Sequence, residues 1–174
     1  LPPVLLNQVI RHESQFWPSQ QTIYHYGYGH LTNVGIRNAM QWNRDLFNKL
    51  CASGNYLNCT TNISTANQIL TSLIATCDTC EYGIDPQEAE RTVDVVAESL
   101  LGYCFQTEQI IVNATGWDAS LAVDYATIWK LTLMNYNAGS VCTSHTVGST
   151  FDVTQGPMDW ANISANVSGD CGRG

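Results

Sequence analysis

A 3.6-residue apolar stripe that ends on a carboxylate and then on a proline sets the frame for this chain. Steps of three or four residues from Leu6 reach Val9, Ile10 and Glu13, which places Glu13 on the apolar face of a helix predicted over 3–15. Pro2 and Pro3 suit its first turn, and Pro18, directly after Phe16 and Trp17, forbids much continuation. A carboxyl held among such neighbours is costly to ionise. Its pKa is expected to rise from the usual ~4.3 towards ~6 or above, as a general acid working near neutral pH requires. The bland alternative is a glutamate that caps the stripe with its head group in water.

Similar stripes recur along the chain. A second helix is predicted from an Asn33 cap to about Leu50, with Ile36, Met40, Phe47 and Leu50 on one face. A polar loop follows over 51–63. A third helix starts at Ser64 or Thr65 and carries Ala66, Ile69, Leu70, Leu73, Ile74 and Cys77. Asp85-Pro86 with Glu88 opens a fourth, ending near Gly102. The run Gln106 to Asn113 is ambiguous. Asp118 is expected to cap a last helix through Leu121, Tyr125, Ile128, Trp129, Thr132 and Tyr136, stopped by Gly139. Between the first two helices, Tyr24, Tyr26 and Tyr28 alternate with small or polar residues in an aromatic loop with a short extended piece. These rings either stack on sugars or fill the boundary between loop and core. The expected fold is mostly α with little strand, a domain over 1–142 and a polar extension over 143–174 packed on it, ordered in part around Phe151 and Trp160.

A net charge of −8 with only seven Lys and Arg excludes phosphate-backbone binding and hence a nucleic-acid partner, but leaves an uncharged or zwitterionic glycan open. Seven cysteines point to disulfides and an oxidising compartment. Cys51 with Cys59 and Cys77 with Cys80 are candidate local bridges, Cys104 with Cys142 or Cys171 a longer one, and one thiol stays over. Cys77 and Cys80 have zinc-ligand spacing, but no second CxxC or histidine pair completes a site, so no metal and no cofactor is expected. Sequons at Asn58, Asn62, Asn113, Asn162 and Asn166 are weak signals of glycosylation in so Asn- and Thr-rich a chain. No run is apolar and long enough to span a membrane. Leu1-Pro2-Pro3 reads as a cut inside a precursor, giving an expectation of an excised domain from a larger secreted, virion or cell-surface protein, in an extracytoplasmic (secreted, periplasmic or cell-surface) location.

Three separated segments resemble the lytic transglycosylases, whose catalytic domain is lysozyme-like. Glu13-Ser14-Gln15-Phe16-Trp17-Pro18 resembles their E-S-x-F-x-P motif. Gly27-Tyr28-Gly29-His30-Leu31-Thr32 resembles G-A-x-G-L-M-Q, with His30 where the motif has leucine and Thr32 where it has glutamine. Asn135-Tyr136-Asn137-Ala138-Gly139 resembles A-Y-N-A-G. The resemblance implies a lysozyme-like helical domain with a glycan-binding groove and a peptidoglycan substrate. It casts Glu13 as catalytic acid and Ser14 as holding the helix end. Tyr28, Gly29, His30, Leu31 and Thr32 line a sugar subsite, and Tyr136 and Asn137 position Glu13 or the substrate's N-acetyl group. The implied reaction cleaves the β-1,4 bond between N-acetylmuramic acid and N-acetylglucosamine with one carboxyl as acid and then base, leaving a 1,6-anhydro ring. Asp45, Asp78, Glu81 and Asp118, which a two-carboxylate glycosidase would draw on, read as solvated charges or caps. A hydrolase of lysozyme or chitinase type on the same fold, and a non-catalytic glycan-binding domain, are the alternatives.

Overall fold

The computed structural model describes residues 1–22, 24–53, 59–169 and 171, and their side chains except at 20, 21 and 53. The sequon at Asn58 lies outside these residues. The chain is mostly helical and divides into two compact units, Leu1–Gly102 and Tyr103–Gly174. No described helix is long and apolar enough to cross a membrane.

In the first unit, α1 (Pro3–Ser14) buries Val9 and Ile10, as the stripe predicts, and Ser14 as well. A two-stranded antiparallel hairpin follows, β1 (Gln20–Thr22) and β2 (His25–Tyr26), the short extended piece of the aromatic loop. Helix α2 (Asn33–Trp42) is capped by Thr32, whose Oγ1 accepts from the Gly35 amide at 3.0 Å, one residue before the expected cap. The helix expected to reach Leu50 is broken at Asn43. This buried side chain caps α3 (Arg44–Ser53) by accepting from the Asp45 and Leu46 amides at 3.1 Å each, and its amide donates to Glu98 Oε2 at 2.8 Å. A polar residue that offers the backbone this alternative ends one helix and begins the next.

Helix α4 (Ile63–Thr71) is capped by Asn62 rather than by Ser64 or Thr65, and it stops short of Cys77. The Arg91 guanidinium donates to the Ser72 carbonyl at that end, and Leu73 stays buried from the following loop. The Cys77–Cys80 disulfide then closes a tight turn, so the CxxC is a bridge and not half of a zinc site. Asp85 caps α5 (Pro86–Thr115) as expected, through the Gln87 and Glu88 amides.

That helix runs through Gly102 instead of stopping there. A Cβ at Gly102 would meet the Ala39 carbonyl oxygen of α2 at 2.8 Å, so glycine here serves close packing of two helices and not a turn. The ambiguous run from Gln106 is the second half of this helix.

In the second unit, Asp118 caps only the short α6 (Ala119–Ala122), and Asp124 caps α7 (Tyr125–Thr154). Leu121 and Tyr125, expected on the buried stripe, are about two-thirds exposed (67% and 70%). Gly139 breaks α7 with a left-handed φ of 84°, but the helix resumes to Thr154, and α8 (Trp160–Ala165) follows. The extended tail expected from 143 is therefore largely helical. Its buried face is Thr143, Thr146, Val147 and Thr150, an i, i+3, i+4, i+7 set made mainly of threonines. Thr143 and Thr150 donate their hydroxyls to the carbonyls four residues back, as Thr107, Thr115 and Thr132 also do, which hides the polar atom and leaves the methyl to pack. Ile111, Ala119, Ala122, Val123, Leu131, Val147, Met158 and Ile163 form the core of this unit.

Cys51–Cys59 bridges as expected. The longer bridge is Cys142–Cys171, and the thiol left over is Cys104, buried in the second unit. Among the described residues the three bridges fit folding in an oxidising compartment.

Candidate functional site

Glu13 sits in the last turn of α1, where two successive left-handed residues, Gln15 (φ 52°) and Phe16 (φ 63°), turn the chain away from the helix. The Gln15 amide donates to the Arg11 carbonyl and the Trp17 amide to the Ser14 carbonyl, which completes the helix end. Ser14 is buried and its hydroxyl donates to the Ile10 carbonyl at 3.0 Å, a local bond that braces this turn. Phe16 and Trp17, which follow in the chain, are exposed by 46% and 45% and so are not core residues.

The glycine loop is strapped to this helix end. The Gly27 amide donates to the Ser19 carbonyl at 3.1 Å, and the Ala75 amide to the Pro18 carbonyl at 3.0 Å. Gly27 has a φ of 65°, and a Cβ there would meet Thr92 Cγ2 at 2.9 Å and the Leu73 carbonyl oxygen at 3.0 Å. Both the dihedral and the space demand glycine. Gly27→Ala is expected to destabilise the chain by about 1–3 kcal/mol and to loosen the loop; thermal unfolding checks the first effect.

The loop brings His30 to Glu13. His30 Nδ1 lies 3.6 Å from Glu13 Oε2, the two side chains being 21% and 18% exposed. His25, on β2, stacks on His30 with ring centroids 5.8 Å apart and planes 11° from parallel. Burial pushes the Glu13 carboxyl above its ordinary range, opposed by the nearby charges of His12 and His25. Burial also holds the His30 imidazole below its ordinary value, and His25 adds to this. A half-buried acid that stays protonated to higher pH, beside an imidazole that stays neutral to lower pH, can hand a proton to a leaving oxygen and take one back.

The carboxyl also carries a stability signature. Its pKa is higher in the fold than in the unfolded chain, so the fold binds the extra proton, and stability is lost as pH rises from the unfolded value through the folded one. Glu13→Gln removes that loss. Its melting temperature is expected to exceed that of the parent at neutral pH and to match it at about pH 3, where the carboxyl is protonated in both folded and unfolded chains. Paired melting curves at the two pH values check this.

The other residues of the loop are mostly committed to the fold. Tyr28 is buried (8% exposed), with its hydroxyl pKa raised by burial, so it fills the boundary between loop and core, whereas Tyr24 is 64% exposed. Gly29 is buried. Leu31 is a core residue whose backbone pairs with Tyr26, and Thr32 is used as the α2 cap.

In the second unit, Tyr136 packs edge-on against Tyr103 with centroids 5.2 Å apart. Exposed Asn137 donates to the Leu133 carbonyl of its own helix at 3.0 Å, and buried Asn135 donates to Gln106 Oε1 and Thr107 Oγ1. Asp118 and Asp124 are caps, and Asp45 lies exposed in the first turn of α3. Sequence reasoning missed His25. No motif includes it, and its placement follows only from the hairpin, which sets it on the strand leading into the glycine turn.

Among the described residues no group of three or more His, Cys, Asp or Glu is arranged to hold a metal ion. No family model matches the chain, and neither a curated protein nor a solved structure matches it.

Proposed function

We propose that the chain is a divergent lytic transglycosylase of lysozyme-like type, acting outside the cytoplasm on peptidoglycan. It would cleave the β-1,4 bond between N-acetylmuramic acid and N-acetylglucosamine. The reading rests on the resemblance of the three motifs. The observation that carries it is the half-buried Glu13 carboxyl, its pKa raised by burial, set 3.6 Å from the turn that holds the second motif.

The chemistry follows from one carboxyl. Protonated Glu13 gives its proton to the glycosidic oxygen as the bond from the sugar's C1 breaks. The resulting carboxylate takes the proton of the same sugar's C6 hydroxyl, whose oxygen bonds to C1 and closes the 1,6-anhydro ring. Glu13 ends protonated, ready for the next bond, and no water is consumed. Exposed Phe16 and Trp17, three and four residues on in the chain, offer faces for apolar sugar surfaces. Three disulfides support an extracytoplasmic setting.

The test is clearing of a purified peptidoglycan suspension, run beside chitin. Clearing of peptidoglycan alone supports the assignment. Clearing of chitin alone would move it to the chitinase class, and clearing of neither would remove the activity.

A further inference from the structure

Glu13 is not alone at its helix end, and what stands beside it departs from the motif the loop resembles. His30 occupies the position where that motif has leucine, and it is held there at some cost. Its backbone lies in the left-handed region with φ 47°, which a non-glycine residue adopts only when its surroundings impose it. Its Nδ1 faces Glu13 Oε2 at 3.6 Å, and its ring is stacked on His25. Its Nε2 is buried with no hydrogen-bond partner among the described residues.

That last fact selects a tautomer. A buried N–H without an acceptor is rarer and costlier than a buried lone pair without a donor, so the single proton of the neutral ring belongs on Nδ1, towards the carboxyl. The charged groups acting on the pair are His12 from α1 and His25 from β2; His12 and His25 act on Glu13, and His25 acts on His30.

We propose that His30 is the positioning partner of Glu13, its imidazole orienting the carboxyl and titrating together with it. The neutral ring points its Nδ1 side at the carboxylate, 3.6 Å away, and biases its orientation by charge–dipole attraction. The pair then titrates as a coupled unit rather than as two independent groups. This role rests on the reading of Glu13 as acid and base, but the coupling itself can be measured without any substrate.

The experiment compares the parent chain with His30→Asn and Glu13→Gln. Asparagine tolerates the left-handed backbone and keeps an amide donor near the Nδ1 position, but it cannot titrate with the carboxyl. With 13C-labelled glutamate, the Glu13 carboxyl carbon of the parent is expected to titrate in two steps more than about one pH unit apart, and that of His30→Asn in one. On peptidoglycan, His30→Asn is expected to lower kcat roughly tenfold and move the acid limb of its pH profile, with KM unchanged. A single-step titration of Glu13 in the parent, or the same two steps in His30→Asn, would overturn the pairing. An active Glu13→Gln would instead overturn the assignment of Glu13, while the labelled titration still decides whether the two groups are coupled.

Discussion

Glu13→Gln is expected to abolish cleavage of peptidoglycan while leaving the fold intact. General acid–base catalysis by one side chain contributes about 10²–10⁴-fold, and here the same carboxyl is asked both to protonate the leaving oxygen and to deprotonate the C6 hydroxyl. The loss should therefore lie at the upper end, about 10³-fold or more in kcat, measured by release of soluble fragments. Glutamine keeps the size and shape of the side chain, and Ser14, which braces the helix end, is untouched. The rise in melting temperature expected at neutral pH for the same variant separates the two effects. A variant that is inactive yet more stable has lost chemistry and not structure, whereas one that clears the suspension at the parental rate removes Glu13 from the mechanism.

The second large effect is on stability. Replacing both Cys142 and Cys171 by serine opens the bridge that ties the end of the described chain to the second half of α7, across a sequence separation of 29. On a chain-entropy basis that bridge is worth roughly 3–4 kcal/mol, a fall of roughly 7–15 °C in melting temperature for a chain of this size. Opening Cys51–Cys59, separation 8, should cost less, and Cys77–Cys80, separation 3, least. Thermal unfolding of the three double variants checks the order. An equal or inverted order would show that local packing, and not loop closure, sets the contribution of each bridge.

Helices with ordinary apolar stripes were legible from the residues. The first helix, the Asp85-Pro86 start and the two short disulfides needed only period, capping chemistry and spacing. The failures share a physical cause, which is that one residue type does different work in different surroundings. Gly102 reads as a stop, but it lies where two helices pass too closely for a Cβ. Gly139 does supply a positive φ, but as a break within α7 and not as its end. Asn43 reads as a polar position on a helix surface, but it is buried as a cap and bonded to Glu98. The threonine face of the second half of α7 has no apolar period to find, because the methyls of threonines pack there, with the Thr143 and Thr150 hydroxyls folded back onto their own helix.

The site was legible to a similar degree. Glu13, Ser14 and the glycine loop are candidates from their motifs, and the rise in the Glu13 pKa expected from the sequence recurs in the fold, where burial causes it. Tyr28, Leu31 and Thr32 share the loop's sequence pattern, yet packing commits them to the core and to a cap. The approach of His30 to Glu13 and its stacking on His25 depend on the pairing of β1 with β2 and on the glycine loop after it, which no periodicity encodes.

The measurement that bears most directly on the proposed chemistry is the mass of the products released from purified peptidoglycan by the parent chain. If Glu13 returns as base on the sugar's own C6 hydroxyl, every new muramic acid end carries a 1,6-anhydro ring and weighs one water less than a reducing end. Reducing ends alone would contradict this and make the protein a hydrolase.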